Sequence, residues 1–325
     1  MGAPRKYYRN KDVLFVTFSL EQGLLLLANP FSRCIIQGCM ARAKAMYPVR
    51  LSHFIVNGNH IHLLLVVINP LDTANFIGYF KAEVAHRFNI AVGWKKRTVW
   101  CEGYDSPVVL TPVRALIAIA YLYANPAKDN LEDSIDTFPG LSSWESFRTG
   151  SPKHQWKHVR RTRFRELRPG EHNLTGYTKE ATRLLNSSSE IYAFDLEPNA
   201  WLHAFGVTDE SEIKQWNQLL EQRVRKLEAR ARRIRGRAKL TVIGSKRLTE
   251  APLNITHKAN RKGRRMWCLS EKRSVRVVFI RALKELITQA RAIFKRWHLG
   301  DYSEPYPAGL FPPRQPKLFE PLPLG

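Results

Sequence analysis

Two histidines separated by a single residue, His60 and His62, are the first sign of chemistry in this sequence. They begin an apolar run that ends at Val67 and has the composition of a β-strand. Residues two apart in a strand project to the same face, so both imidazoles would point the same way. Such a pair can offer two nitrogen ligands to a metal ion. On its own the pattern fits two polar residues on a half-exposed strand equally well.

A second group of reactive side chains lies about sixty residues later, where Tyr121 and Asn125 are spaced four residues apart. Residues i and i+4 of a helix are neighbours on one face, so the spacing brings a phenol and an amide oxygen together. The preceding residues, 115–120, are all apolar, which predicts a helix that packs on a sheet. Tyr123 points elsewhere on this helix and is interpreted as a packing residue. An isolated tyrosine at position 121 would be interpreted in the same way.

The elements that must position these groups follow an alternating pattern of strands and helices up to about Gly150. Val13–Phe18 is rich in β-forming residues, and Asn29-Pro30 is a typical helix start for a segment ending near Met46. Residues 51–67 form two predicted strands separated by the turn residues 57–59.

A further helix, strand and helix complete this part of the chain. Asp72 is expected to cap a helix that runs to about Phe88, and a short strand follows at residues 108–110. Thr111-Pro112 begins the tyrosine helix, which we expect to end near Asn125 because Pro126 disfavours helical geometry before itself. Residues 1–150 are therefore predicted to form one domain that contains both reactive groups.

The chain after residue 150 has a different composition. Asp209 with Glu212 resembles a capping box that opens a long amphipathic, arginine-rich helix, and a second amphipathic helix is predicted from Ser274 to Trp297. The first of these helices suits either a DNA backbone or a partner helix. We predict a basic, mainly helical DNA-binding or dimerisation region at 151–300 and an extended, proline-rich tail at 301–325.

The charge balance is the clearest feature of the composition. The 325 residues include 52 Lys and Arg against 28 Asp and Glu, a formal net charge of +24. Such an excess attracts polyanions, of which nucleic acid is the commonest; an anionic membrane surface and a ribosomal-type scaffold are the alternatives. No run reaches the roughly 18 apolar residues of a membrane span. Four scattered cysteines suggest neither a zinc site nor a disulfide framework, and a cytoplasmic protein is expected.

Two basic clusters with interleaved aromatic residues are candidate DNA contacts, since exposed bases stack on aromatic rings beside positive charge. The alternative for each is a solvated basic surface. The first cluster has Trp94 and Trp100 on either side, and the second contains Trp156 and Phe164. The predicted nucleic-acid-binding residues are Lys95, Lys96, Arg97, Lys153, Lys157, Arg160, Arg161 and Arg163.

Together, Asn59-His60-Ile61-His62-Leu63-Leu64 and the segment from Tyr121 to Pro126 resemble the HUH single-tyrosine transposases, especially the REP-associated tyrosine transposases and related insertion-sequence enzymes. The resemblance covers residues 5–150 and includes a weaker match at Ser142-Ser143-Trp144. It implies an α+β fold with a ferredoxin-like antiparallel sheet and packed helices. It also implies that Tyr121 is the nucleophile and that Asn125 completes a metal site with His60 and His62.

Two departures from the family pattern concern DNA recognition. The first strand carries Thr17-Phe18-Ser19 where family members often have Thr-x-Arg, and the turn before His60 is Asn-Gly-Asn instead of Met-Pro-Asn. Neither change affects the expected ligands or nucleophile.

The resemblance predicts a transposase that cuts and rejoins single-stranded or hairpin DNA through a covalent phosphotyrosine, with Mg²⁺ or Mn²⁺ as cofactor. DNA is the expected partner, and a homodimer is considered. The leading alternative is a non-catalytic protein that binds nucleic-acid hairpins and derives from such a transposase. Three other enzyme classes fit less well. A cupin oxygenase would need more short strands, and a two-histidine phosphoesterase would need a second His motif. A rolling-circle replication initiator would need a helicase-like segment.

Overall fold

The computed structural model describes residues 6–21, 29–91, 98–164, 186, 189–250 and 266–313. The strands are β1 Val13–Ser19, β2 Arg50–Val56, β3 His60–Val66, β4 Val108–Val109, β5 Leu141–Ser142, β6 Lys153–Val159, β7 Ser189–Asp195 and β8 Cys268–Leu269. The helices are α1 Pro30–Met46, α2 Pro70–Ala91, α3 Pro112–Lys128, α4 Trp144–Thr149, α5 Arg161–Phe164, α6 Ala200–Ala204, α7 Glu210–Arg237, α8 Ser245–Thr249 and α9 Arg273–His298.

The central sheet has the strand order β5-β2-β3-β1-β4-β8, and all its pairs are antiparallel except β4 with β8. Its inner four strands, β4-β1-β3-β2, arise from the sequence β1-α1-β2-β3-α2-β4, which is the ferredoxin-like arrangement. β1 and β3 pair along their whole length, with Thr17 opposite His62 and Ser19 opposite His60. The predicted α+β sheet with packed helices is therefore confirmed.

Alternation along the strands gives the sheet two buried faces. Ile61, Leu63 and Leu65 of β3 join one apolar core together with the apolar sides of α1 and α2. Leu64 and Val66 belong to a second core that includes α3 and α7. Because side chains two apart share a face, His60 and His62 lie on the α3 side of the sheet.

The predicted helix caps are confirmed at three sites and wrong at one. Asn29, Thr111 and Asp209 each cap their helix through a side-chain oxygen. However, α2 begins at Pro70, and Asn69 Oδ1 accepts from the backbone N–H groups of Leu71 and Asp72. Asn69 occupies the capping position because Pro70 follows it as the first helical residue, and Asp72 therefore falls within the first turn.

The predicted end of α3 was also wrong, because the helix continues through Pro126 to Lys128. A proline inside a helix removes one backbone donor and crowds the preceding turn. Here it lies in the last turn, and the Asn125 carbonyl still accepts from the Asp129 N–H at 2.8 Å. The extra turn matters for the site because it brings Lys128 and Asp129 close to Tyr121 and His60.

The chain after residue 150 contacts both sides of the sheet. α7 packs its apolar side against the core that contains α3, and β8 extends the sheet beside β4. β6 and β7 form a separate two-stranded ribbon that contacts α1, where a Cβ on Gly38 would clash with the Lys157 carbonyl oxygen. These three strands were not predicted. The division at residue 150 remains a prediction, and both cores contain residues from either side of it.

No helix in the described ranges is both long and apolar enough to cross a lipid bilayer.

Candidate active site

His60 and His62 lie side by side at the start of β3, with ring centroids 4.7 Å apart. His62 is buried, and His60 is partly buried at the edge of the turn that precedes the strand. The helix α3 crosses this face of the sheet and brings Tyr121 to a centroid distance of 5.9 Å from His62. The two reactive groups that the sequence separates by sixty residues are therefore neighbours within one chain.

Hydrogen bonds fix the proton on the His60 ring. Its Nδ1 lies 2.8 Å from the side-chain oxygen of Asn59, which can only accept, so the Nδ1–H donates and Nε2 keeps its lone pair. The amide nitrogen of Asn125 donates to that Nε2 at 2.8 Å. Burial, aided by the positive charge of Lys128, lowers the pKa of His60 to about 4. A neutral ring with a free Nε2 lone pair is the form that a metal ion requires.

His62 is held between the first strand and the tyrosine helix. Thr17 Oγ1 lies 2.8 Å from its Nδ1, and the ring of Phe15 stacks on it at 5.2 Å. Its Nε2 is buried and has no hydrogen-bond partner in the described structure. Burial and the charges of His60 and Lys128 hold the pKa of His62 well below its usual value. His62 thus also presents an uncharged nitrogen.

Tyr121 is the accessible member of the group, with 36% of its surface exposed. The ammonium group of Lys128 donates to its hydroxyl at 2.7 Å and lies 4.2 Å from the ring centroid. An ammonium at this distance stabilises negative charge that develops on the phenolic oxygen. The phenol is therefore open to solvent and placed beside a fixed cation.

Asn125 is almost completely buried, and its Oδ1 has no hydrogen-bond partner within the described ranges. The adjoining polar pair is Asn57 and Asp129, joined by a 2.9 Å hydrogen bond from the Asn57 amide. Asp129 Oδ2 lies 4.0 Å from His60 Nε2, and burial raises the pKa of this carboxyl against the opposing effects of Lys128 and Asn57. Polar atoms from the turn, β3 and α3 thus meet at one place.

These donors fit a divalent metal ion. Two buried polar atoms lack partners, His62 Nε2 and Asn125 Oδ1, and His62 Nε2 is an acceptor in the tautomer whose Nδ1–H donates to Thr17. His60 Nε2 bonds only to an amide that can turn. A buried polar atom without a partner is costly, and a bound cation would satisfy it. In the described ranges no three His, Cys, Asp or Glu side chains group as a metal site. The third donor would accordingly be the Asn125 amide oxygen.

Tyr123 lies on the face of α3 opposite to Tyr121, where it packs inside the protein as the sequence predicted. The Tyr123 hydroxyl lies 2.7 Å from His53 Nδ1 and 2.8 Å from Ser143 Oγ, and all three side chains are buried. Ser143 Oγ also accepts from the Phe54 N–H at 2.7 Å. The Ser-Ser-Trp segment therefore anchors α3 to β2, which sets the height of Tyr121 over the sheet.

The predicted DNA-contacting residues are not gathered at this site. Lys95, Lys96 and Arg97 lie outside the described residues. The second cluster lies on β6 and α5, which contact α1 and α2 on the other face of the sheet. Lys153 and Lys157 are exposed there, Arg160 pairs with Glu190, and Arg161 pairs with Glu83. Arg163 is also exposed on α5.

Three of the four aromatic residues of these clusters pack inside the protein, and Trp94 lies outside the described residues. Trp156 stacks on Phe194 at 3.9 Å, Phe164 is buried, and the Trp100 indole donates to the Lys81 carbonyl at 2.8 Å. A ring that stacks within the core has no open face for a base, so the predicted stacking role is wrong for these three rings.

Sequence reasoning missed several neighbours of the site. Thr17 was noted only as part of a family pattern, yet it holds the His62 ring. Lys128 and Asp129 were not considered, because the helix was expected to end before them. The helical spacing of Tyr121 and Lys128, seven residues, would have indicated their shared face if Pro126 had been allowed inside the helix.

Comparison with known proteins gives a distant structural similarity. No family model matches the chain, and no curated protein matches it. Among solved structures the chain is similar to a REP-associated tyrosine transposase bound to a REP hairpin, with 18% identity and a TM-score of 0.39. The alignment covers 46% of this chain and 86% of the other.

Proposed function

We propose that this protein is a metal-dependent DNA strand transferase, a transposase of the HUH single-tyrosine type. One observation supports it above all: the phenol of Tyr121, both imidazoles and the Asn125 amide converge on one face of the sheet. Two polar atoms of this group, His62 Nε2 and Asn125 Oδ1, are buried without partners among the described residues. The motifs that resemble this enzyme class are thus the same residues that lie together in space.

In the proposed reaction, the Tyr121 oxygen attacks the phosphorus of a DNA phosphodiester and loses its proton to water. A bond forms between this oxygen and phosphorus, while the bond from phosphorus to the 3′ oxygen breaks. The 3′ oxygen takes up a proton and leaves as a hydroxyl. Because the new phosphotyrosine is still a phosphodiester, another 3′-hydroxyl can reverse the step and rejoin the strand without ATP.

The side chains divide this work between them. His60, His62 and Asn125 would hold the metal. A bound Mg²⁺ or Mn²⁺ would withdraw charge from a non-bridging phosphate oxygen and orient the phosphorus. Lys128 stabilises the charge on the attacking oxygen and holds the phenol in place. Thr17 and Asn59 fix the two imidazole rings.

The proposed substrate is single-stranded or hairpin DNA. A net charge of +24 supports a polyanionic partner, and the exposed phenol is open to a strand from outside. All the proposed catalytic side chains come from one chain, so the site does not need a second copy. A homodimer remains a prediction. Its second copy would serve to hold DNA ends and is not needed for the proposed chemistry.

A covalent protein–DNA complex is the first result to seek. The purified protein is incubated with a labelled pool of single-stranded hairpins and Mn²⁺, and the products are separated on a denaturing gel. We expect a slow band that a chelator abolishes and that Tyr121→Phe, which lacks only the nucleophilic oxygen, does not form. Tyr302→Phe, which changes an exposed tyrosine outside the site, should still form it.

The opposite result is equally informative. A protein that shifts hairpins on a native gel but never forms the covalent band would be a hairpin-binding protein and not a transferase. The convergence of the four site residues would then need another explanation.

A further inference from the structure

A cavity of about 330 Å³ adjoins the candidate active site but takes no part in the chemistry proposed above. It lies between β1, α3 and the segment that leads into β8, and His62 and Tyr121 form part of its wall. Its volume falls within the range of about 300–1,000 Å³ that small-molecule sites occupy. A ligand bound there would touch the nucleophile directly.

The guanidinium of Arg114 lines this cavity and has no carboxylate partner among the described residues. Its Nε is buried and has no hydrogen-bond partner, and its guanidinium makes no ion pair with any described residue. Glu271, the nearby acid whose pKa Arg114 helps to lower, accepts instead from the Thr111 hydroxyl at 2.6 Å. A guanidinium left unsatisfied in a concave site is suited to a phosphate, which it can bind with two parallel hydrogen bonds.

Asp105 gives the same cavity an acceptor. Its backbone is held by two hydrogen bonds with Thr17, of 2.8 and 2.9 Å, while its carboxylate has no partner among the described residues. The walls that complete the cavity are apolar and include Phe15 and Met266. A largely apolar cavity with a carboxylate on its lining suits a nucleobase that carries N–H groups.

We propose that this cavity binds one nucleotide of the substrate strand, with its phosphate on Arg114 and its base edge on Asp105, and that it prefers guanine. Guanine offers two adjacent N–H donors to the two carboxylate oxygens, whereas thymine offers one N–H between two carbonyl oxygens that a carboxylate repels. The inference rests on the proposed function for the position of this nucleotide, which is next to the phosphodiester that Tyr121 attacks.

The test measures mononucleotide binding and needs no cutting. Titration calorimetry compares dGMP and dTMP on the full chain, with a chelator present so that no metal bridges the phosphate. We expect dGMP to bind about ten-fold more tightly than dTMP, in line with the discrimination of one good base contact. Arg114→Gln should weaken both ligands about ten-fold, as loss of a charge-assisted hydrogen bond does.

Two further variants make the test specific. Asp105→Asn, an exposed change that leaves the backbone bonds with Thr17 intact, should abolish the preference for dGMP over dTMP without weakening dTMP binding. Arg281→Gln removes an exposed arginine of α9 and should change neither affinity. Equal dGMP affinity in the parent and Arg114→Gln, or no dGMP binding at millimolar concentration, would overturn the proposal.

The outcome separates the two proposals. Selective dGMP binding without any covalent DNA complex would support the nucleotide cavity and reject the transferase. A covalent complex formed by a protein that binds dGMP and dTMP equally would support the transferase and reject the cavity as a guanine site.

Discussion

Lys128 has two opposing effects at the scale of single residues. Its ammonium group bonds to the Tyr121 hydroxyl, where positive charge would favour the proposed attack on phosphorus. The same charge lowers the pKa of both His60 and His62, which shows that it is felt at the proposed metal site. A cation beside a metal site repels the metal, so Lys128 should assist the nucleophile at some cost in metal affinity.

Lys128→Gln is therefore expected to move two measurements in opposite directions. Formation of the covalent DNA complex should slow by roughly ten- to a hundred-fold, as expected when a charge-assisted hydrogen bond to a reacting oxygen is lost. The affinity for Mn²⁺, followed by electron paramagnetic resonance without DNA, should rise because a repulsive charge is gone.

A matched control is Lys284→Gln, which removes an exposed lysine of α9 and should alter neither quantity. If Lys128→Gln and the parent form the complex at the same rate, Lys128 serves only to pack over the Tyr121 ring. If both the rate and the Mn²⁺ affinity fall, the variant has disturbed the site as a whole.

The sequence shows the part of the site that depends on spacing within one element. The His60–His62 pair follows from strand alternation, and the Tyr121–Asn125 pair from the helical turn. The contacts of Thr17 with His62 and of Asn57 with Asp129 depend on which strand pairs with which and on where a helix ends. Those are properties of the folded chain, and local patterns do not contain them.

At the scale of elements, local signals predicted most helix starts because a cap is a contact between residues two or three apart. Asn29, Thr111 and Asp209 are examples. The strand β8 is the opposite case: two residues near position 268 pair with β4, about 160 positions earlier, and nothing local indicates it. In the ribbon, the strand β6 was hidden by its basic composition, because its lysines and histidines read as a charged surface segment.

The attachment of α3 to β2 makes the fold sensitive to acid. Burial lowers the pKa of His53 from its usual 6.5 to about 3, while the unfolded chain protonates this ring near pH 6.5. Below pH 6.5 the unfolded state therefore binds more protons, so stability falls as the pH drops from 6.5 towards 3. The loss amounts to about 1.4 kcal/mol for each pH unit in this window.

Urea unfolding at several values between about pH 7 and about pH 5 measures this dependence. We expect the free energy of unfolding to fall towards acid, and His53→Gln to reduce the slope while lowering the stability at neutral pH. His86→Gln, at an exposed position of α2, should keep the parent's slope. A slope that is unchanged in His53→Gln would assign the acid sensitivity to other buried groups.

At the scale of the whole molecule, some of the basic residues stabilise the fold and others are exposed without a partner among the described residues. Some arginines of α7 support the fold: Arg235 is buried and bonds to the Ala127 carbonyl, and Arg225 pairs with Asp136 and Glu228. Because the apolar side of α7 packs on the core around α3, that side is already occupied within the chain. On the exposed side of α7, the large apolar residues are only Leu219 and Ile234, which do not form the continuous apolar face of a coiled coil. This favours DNA over a partner helix for that side.

That exposed side carries a regular stripe of charge. Arg223, Arg230 and Arg237 are seven residues apart, so they lie along one line on the helix, and all three are exposed without partners in the described structure. Over fourteen residues the line is about 21 Å long. Because α7 packs against α3, these three arginines lie on a helix that directly contacts the helix of Tyr121.

We expect the triple variant Arg223→Gln, Arg230→Gln and Arg237→Gln to bind single-stranded DNA more weakly and with less dependence on salt. Each lost phosphate contact lowers the slope of log affinity against log salt by about 0.7, so three contacts would lower it by about 2. Fluorescence anisotropy over a series of salt concentrations measures the slope. The control variant Arg281→Gln, Lys284→Gln and Arg291→Gln removes equal charge from α9. Equal losses in the two variants would mean that DNA responds to the total charge, whereas a loss confined to the first would make α7 the binding surface.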